Sequence, residues 1–109
     1  MAKFMAILSA LTPKSKNPKN HVAVRITNNL SMRILIVNES SDSRYSESSY
    51  LDARKMIETK MKCGSLLFIW NMDTLIKQLT LPKKTGGVVD ITINRNGSAN
   101  VTMPHQATG

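Results

Sequence analysis

The sequence predicts a small α+β domain in which two β-hairpins and further sheet strands pack on one helix. Three observations predict it. Apolar and polar residues alternate with period two at 21–37 and again at 89–103. A capped stretch with helical spacing covers 49–62. A short amphipathic stripe stands ahead of a proline- and lysine-rich linker at the amino terminus. An all-β sandwich, with 54–62 and 75–81 as strands, is the alternative arrangement.

The chain has 109 residues, the size of one domain. Its organisation reads as an arm over 1–20, a globular domain over 21–104 and a disordered tail over 105–109. In the arm, Phe4, Ile7, Leu8 and Leu11 recur at the i, i+3, i+4, i+7 spacing of an amphipathic helix. Pro13 ends that pattern, because the residue before a proline is pushed out of helical geometry. A helix of about ten residues is marginal alone in water, so this stripe is expected to dock, on its own core or on a neighbouring copy. Residues 12–20 carry Pro13, Pro18, Lys14, Lys16 and Lys19 and no acid, which describes an extended, solvated linker.

Val22, Val24 and Ile26 alternate with Ala23, Arg25 and Thr27, as in a half-buried strand. Met32, Ile34 and Ile36 alternate with Arg33, Leu35 and Val37, which are themselves mostly apolar. Asn28-Asn29 suits a turn, so 21–38 reads as a hairpin. Residues 39–49 form a serine-dense polar loop. Ser49 and Asp52 suit a helix start, Tyr50, Ala53, Ile57 and Met61 share a helical face, and Lys60, Lys62 and Gly64 suit its end. The run Leu66-Leu67-Phe68-Ile69-Trp70 is the most apolar of the chain, and Phe68 and Trp70 are expected in the core. Periodicity does not decide between strand and helix over 66–81. Val89, Ile91 and Ile93, then Ala99, Val101 and Met103, flank Asn96-Gly97, the signature of a hairpin with positive φ at both central residues.

Charge and chemistry bound the function. Lys and Arg number 15 against 7 Asp and Glu, a net charge of +8. Such a balance attracts polyanions, whether nucleic acid or an anionic membrane surface met peripherally. The candidate polyanion contacts are Lys14, Lys16, Lys19, Arg54, Lys55, Lys83 and Lys84, drawn from separate loops, and Lys60 and Lys62 stand in one sequence group with Arg54 and Lys55. With few aromatic residues to stack on bases, phosphate contact is the expected mode. Four Asn-x-Ser/Thr triplets, at Asn29, Asn38, Asn96 and Asn100, read as turn and strand chemistry in a chain rich in these residues.

Cys63, His21 and His105 stand at no metal-ligand spacing, the carboxylates are scattered, and Lys83-Lys84-Thr85-Gly86-Gly87 lacks the P-loop spacing. No enzyme, cofactor, metal site or small-molecule substrate is expected. No apolar run reaches the length of a transmembrane helix, and Met1–Leu11 lacks a signal-peptide cleavage site, which points to a cytoplasmic or virion location. These features together predict a non-enzymatic, basic structural or interaction protein. Its sharpest form is a self-assembling homo-oligomer, matrix- or coat-like in the viral sense, with Phe4, Ile7, Leu8 and Leu11 as the oligomerisation arm. A nucleic-acid-binding regulator, or an inhibitor that masks a target protein, is the alternative.

Overall fold

The computed structural model describes residues 20–84 and 86–104. Phe4, Ile7, Leu8, Leu11, Lys14, Lys16, Lys19 and His105 lie outside the described residues. The described chain is all β, without an α-helix. Its strands are β1 (His21–Asn28), β2 (Ile34–Glu39), β3 (Ser46–Leu51), β4 (Met56–Lys62), β5 (Leu66–Asn71), β6 (Thr74–Thr80), β7 (Val88–Ile93) and β8 (Ala99–Thr102). They form two four-stranded sheets, ordered β4-β1-β7-β8 and β3-β2-β5-β6. All neighbours are antiparallel except β1 and β7, which run parallel.

The two sheets enclose one apolar core. Val22, Val24 and Ile26 of β1 meet Val89, Ile91 and Ile93 of β7 on the inner face of the first sheet. Ile34 and Ile36 of β2 and Leu67 and Ile69 of β5 line the second. The period-two pattern of β1 and β7 therefore does what alternation implies: one rank packs, the other faces out. Edge strands carry polar residues even on their core-side rank, Glu47 on β3 and Lys77 on β6, which discourages pairing with another chain.

The α+β expectation is overturned, and the all-β alternative describes the molecule. Residues 49–62 hold no helix: β3 ends at Leu51, the chain turns through Arg54 at φ 61°, and β4 begins at Met56. Ile57, Thr59 and Met61 sit opposite Ile26, Val24 and Val22 across an antiparallel ladder. The helical spacing of Tyr50, Ala53, Ile57 and Met61 coexists with this alternation, and pairing with a buried strand outweighs weak local capping. The 21–38 hairpin is also overturned, because β1 and β2 belong to different sheets. Residues 66–81 resolve into a β5-β6 hairpin turned at Met72-Asp73, with a register shift at Ile69/Trp70. Met72 takes a positive φ of 57° without being Gly or Asn, so the sequence carries no turn signal there. The β7-β8 hairpin is present as expected, but only Gly97 of its turn has a positive φ. Asn94 N–H donates to the Ser98 carbonyl at 2.8 Å and Gly97 N–H to the Asn94 carbonyl at 2.9 Å, so the loop is the three residues 95–97 instead of two.

Two buried asparagines hold the places where the chain changes sheet. Asn28, fully buried, points its Nδ2 at the carbonyls of Met32 (2.9 Å), Leu51 (3.2 Å) and Asp52 (3.1 Å). Its Oδ1 accepts from Leu30 N–H at 3.0 Å, an Asx-turn that bends the chain out of β1. At the other end, Asn38 Nδ2 donates to Ser65 Oγ and to the Leu66 carbonyl, both at 2.9 Å. Ser65 Oγ–H in turn donates to the Lys62 carbonyl at 2.6 Å.

Asn28→Ala strips these partners from buried backbone groups, and the expected loss is about 2–4 kcal/mol in urea unfolding. Gly87→Ala is expected to cost about 1–3 kcal/mol by the same measurement. There φ is +76°, and an added Cβ would stand 2.6 Å from Cβ of the buried Pro104.

Candidate functional site

The sandwich has two ends, and the strand directions decide which charges gather at each. At the Asn20 end lie the entry to β1, the 39–46 loop, the β4-β5 turn and the 80–88 crossing. Backbone bonds tie them together. Cys63 N–H donates to the Asn20 carbonyl (2.8 Å), Gly64 N–H to the Pro82 carbonyl (3.0 Å) and Leu81 N–H to the Ser65 carbonyl (2.8 Å). Lys62, Lys83 and Lys84 sit on these tied segments, and Lys83 Cγ passes within 3.8 Å of where a Gly64 Cβ would stand. The chain position that follows Lys19 is fixed at the same place. Thr80, Pro82, Lys83, Lys84, Met103 and Pro104 line a shallow cleft of about 300 Å³. Two of its six lining residues are lysines, beside the apolar side chains of Pro82, Met103 and Pro104.

The sequence-derived set of cations does not converge as a whole. Lys83 and Lys84 belong to the Asn20 end. Arg54 and Lys55 lie at the opposite, Asn28 end, where the Lys55 carbonyl accepts from Asn28 N–H at 2.8 Å. Lys62 lies seven positions beyond Lys55, at the far end of β4, about 23 Å along an extended strand. Lys62, which the sequence grouped with Arg54 and Lys55, instead joins Lys83 and Lys84. Proximity in sequence misled here because a strand carries its two termini to opposite ends of the molecule.

At the Asn20 end the 40–45 turn is held by Asp42. Ser40 Oγ–H donates to Asp42 Oδ1 at 2.8 Å, and Arg44 N–H donates to the same oxygen at 3.1 Å. The Ser40 hydrogen bond first, then that of Arg44 N–H and the charge of Lys62, hold the Asp42 carboxyl below the usual carboxylate range. The Arg44–Asp42 ion pair, 3.4 Å apart, is exposed and adds little.

The outer faces of the two sheets differ. On the first, Arg25 bridges Asp90 (3.2 Å) and Glu58 (3.3 Å), so two carboxylates stand beside its charge. On the second, Leu35 and Val37 of β2 lie beside Trp70 and Phe68 of β5. Leu67 and Ile69, not Phe68 and Trp70, enter the core, so the expectation of core aromatics is overturned by the phase of β5. Leu35, Val37, Phe68 and Trp70 are half-buried against one another, and Tyr50 beside them is 59% exposed. The Arg33 guanidinium stacks 4.2 Å from the Tyr50 ring centroid.

The remaining chemical candidates are structural. Cys63 is half-buried and packs against the core, as a small hydrophobe would. Asn96 Oδ1 accepts from Ser98 N–H (3.0 Å) and Ser98 Oγ (2.7 Å), which is turn chemistry, and Asn38 is buried. Among the described residues no three His, Cys, Asp or Glu side chains gather as metal ligands. No helix among them is long and apolar enough to cross a membrane.

Lowering the pH tests the Asp42 turn. A depressed carboxyl pKa means that its contribution is complete above the unfolded value and is lost as pH falls through the folded one. The protection factors of the Arg44 and Tyr45 amides, their exchange rates relative to the intrinsic rates at the same pH, are therefore expected to fall in acid, below the ordinary carboxylate range, while the β1 amides stay protected.

No family model matches the chain, and no curated protein does. Among solved structures it is similar to an NMR structure of a protein from Eubacterium rectale, at 14% identity and a TM-score of 0.46. That match covers 87% of this chain and 99% of the other.

Proposed function

We propose that this chain is a non-enzymatic interaction protein that holds nucleic acid by its phosphates at the Asn20 end of the sandwich. One observation carries the reading. Lys62, Lys83 and Lys84 stand on segments tied by backbone bonds to the point where the lysine-rich linker enters the fold. Residues 1–19 hold Lys3, Lys14, Lys16 and Lys19 and no acid, so they carry +4 of the net +8. Three of those four charges lie within seven residues of Asn20. A polyanion bound at this end would meet fixed and linker cations together, and each phosphate neutralised would release counterions.

Two further features support the reading. The buried polar side chains Asn28 and Asn38 are committed to backbone groups, and Arg25 to two carboxylates. The cleft beside Lys83 and Lys84 has room for a base over Pro82 and Pro104 without a pattern of donors to read its identity. Binding of this kind depends on salt and little on sequence. Self-assembly, the other half of the sequence expectation, depends on where residues 1–11 dock.

The test is the salt dependence of binding to a single-stranded oligonucleotide, followed by fluorescence anisotropy. Substituting Lys62, Lys83 and Lys84 together by Ala is expected to lower the slope of log K against log salt by about 2, at about 0.7 per phosphate contact. The paired change Arg54→Ala and Lys55→Ala, at the far end, is expected to leave that slope unchanged. Equal losses from both sets would replace a localised site with diffuse attraction. Preference for anionic vesicles over the oligonucleotide would assign the cations to a membrane surface.

A further inference from the structure

The second sheet has two edges of opposite sign. Among the described residues β3 pairs only with β2, and β6 only with β5. Each edge carries one charged residue on its core-side rank, Glu47 on β3 and Lys77 on β6. A lone inward charge turns away most strands, because pairing would bury it without a partner. It admits an edge that brings the opposite charge, so the same device that rejects other strands selects one. We propose that copies of this chain add to one another through these edges, β6 of one copy pairing with β3 of the next, so that Lys77 of the first meets Glu47 of the second.

Direction and register argue for a second copy as the occupant. The strands β3, β2, β5 and β6 alternate in direction, so β6 runs antiparallel to β3. A copy added along the sheet therefore presents its β6 to the free edge of β3 as an ordinary antiparallel neighbour. The rows of the sheet then continue across the junction. Lys77 ends the row that runs through Ile69 and Ile36 to Ser49. On that register Lys77 faces Ser49 and stands diagonal to Glu47. Diagonal neighbours on one face are about 7–8 Å apart, within reach of a lysine and a glutamate. On the outward rank Gln78 faces Ser48 and Thr80 faces Ser46, pairs that can hydrogen-bond and keep the backbones no further apart than a ladder needs. The pairing uses 77–80, the part of β6 beyond its irregularity at Ile69/Trp70.

Space for Lys77 is already present. The edge strands β3 and β4 belong to different sheets, and a hollow of about 160 Å³ opens between them. Ile36, Ile57 and Met61 line it with apolar groups, and Glu47, Ser49 and Thr59 with polar ones. These two linings suit the two parts of a lysine, an apolar stem and an ammonium head. Among the described residues the ion pairs join Arg25 to Glu58 and Asp90, and Arg44 to Asp42, so Glu47 and Lys77 are both left for each other. The two edges are different surfaces, so the contact is head-to-tail and growth does not stop at a pair. Four residues a side are few for a stable interface, which makes the association reversible and dependent on concentration. It is separate from polyanion binding and from assembly through Phe4, Ile7, Leu8 and Leu11.

Light scattering of nuclease-treated, full-length protein across the micromolar range reads the contact. The parent is expected to grow in mass with concentration. Glu47→Lys and Lys77→Glu are each expected to stay monomeric, because every junction then joins like charges. The double variant, and an equal mixture of the two single variants, are expected to regain growth, because each junction again joins opposite charges. Carbodiimide cross-linking of the parent, mixed from isotopically heavy and light chains, gives the same answer without any variant that must fold. A Glu47–Lys77 link of mixed label is expected, since within one copy the two edges stand about 14 Å apart. A parent that is monomeric throughout would overturn the proposal. Growth shared by both single variants, or an assembled parent without the mixed-label link, would overturn it as well and place the contact elsewhere on the chain.

Discussion

Every change of sheet in a β-sandwich carries backbone carbonyls and amides into the rim of the core, where water cannot serve them all. Here four of the seven connections between strands make that change, and they are gathered in pairs, two at each end. One buried asparagine serves each pair. Asn28 ties the β1-β2 and β3-β4 crossings through the carbonyls of Met32, Leu51 and Asp52. Asn38 ties the β4-β5 crossing through Ser65 and Leu66, and the Ser65 carbonyl accepts from Leu81 in the β6-β7 crossing. An amide side chain is the right chemistry, since it offers donors to carbonyls and an acceptor to a stray N–H while bringing no charge into the rim. The packing of Ile26, Ile34, Leu67 and Ile91 follows from these corners, because the corners decide which strands face each other.

The same corners decide what the surface can do. Because the crossings gather at the ends, the loop cations gather there too, and the 62–66 and 80–88 segments bring Lys62, Lys83 and Lys84 to the entry of the basic linker. The faces are left to the strands. One carries Arg25 paired with Glu58 and Asp90, and the other is lined at its centre by Phe68, Trp70 and their neighbours. The lysine-bearing end and the face lined by Phe68 and Trp70 are thus separate surfaces of one frame, and a change in one need not disturb the other.

Much of the strand content is legible in the residues. The alternation of Val22, Val24 and Ile26, and that of Val89, Ile91 and Ile93, reads directly as half-buried strands, and Asn96-Gly97 marks the last hairpin. Other elements are not legible. Met72-Asp73 turns β5 into β6 without Gly, Pro or Asn at its positive φ, so 66–81 has no punctuation. Residues 56–62 satisfy helix and strand patterns at once, and only the ladder to β1 decides between them. The candidate site was half legible: Lys83 and Lys84 stand out as a charged loop, but Lys62 reads as part of a cluster that the strand of β4 pulls apart.

What the sequence determined by itself is therefore local: which residues alternate and where charge is dense. Tertiary structure alone decided the pairing of strands into two sheets, the parallel meeting of β1 with β7, and the phase that turns Phe68 and Trp70 outward. The physical reason is range. Periodicity and charge density are properties of a few consecutive residues, whereas sheet membership and face depend on hydrogen bonds between residues such as Val24 and Val89, far apart in the chain and brought together only when the core closes.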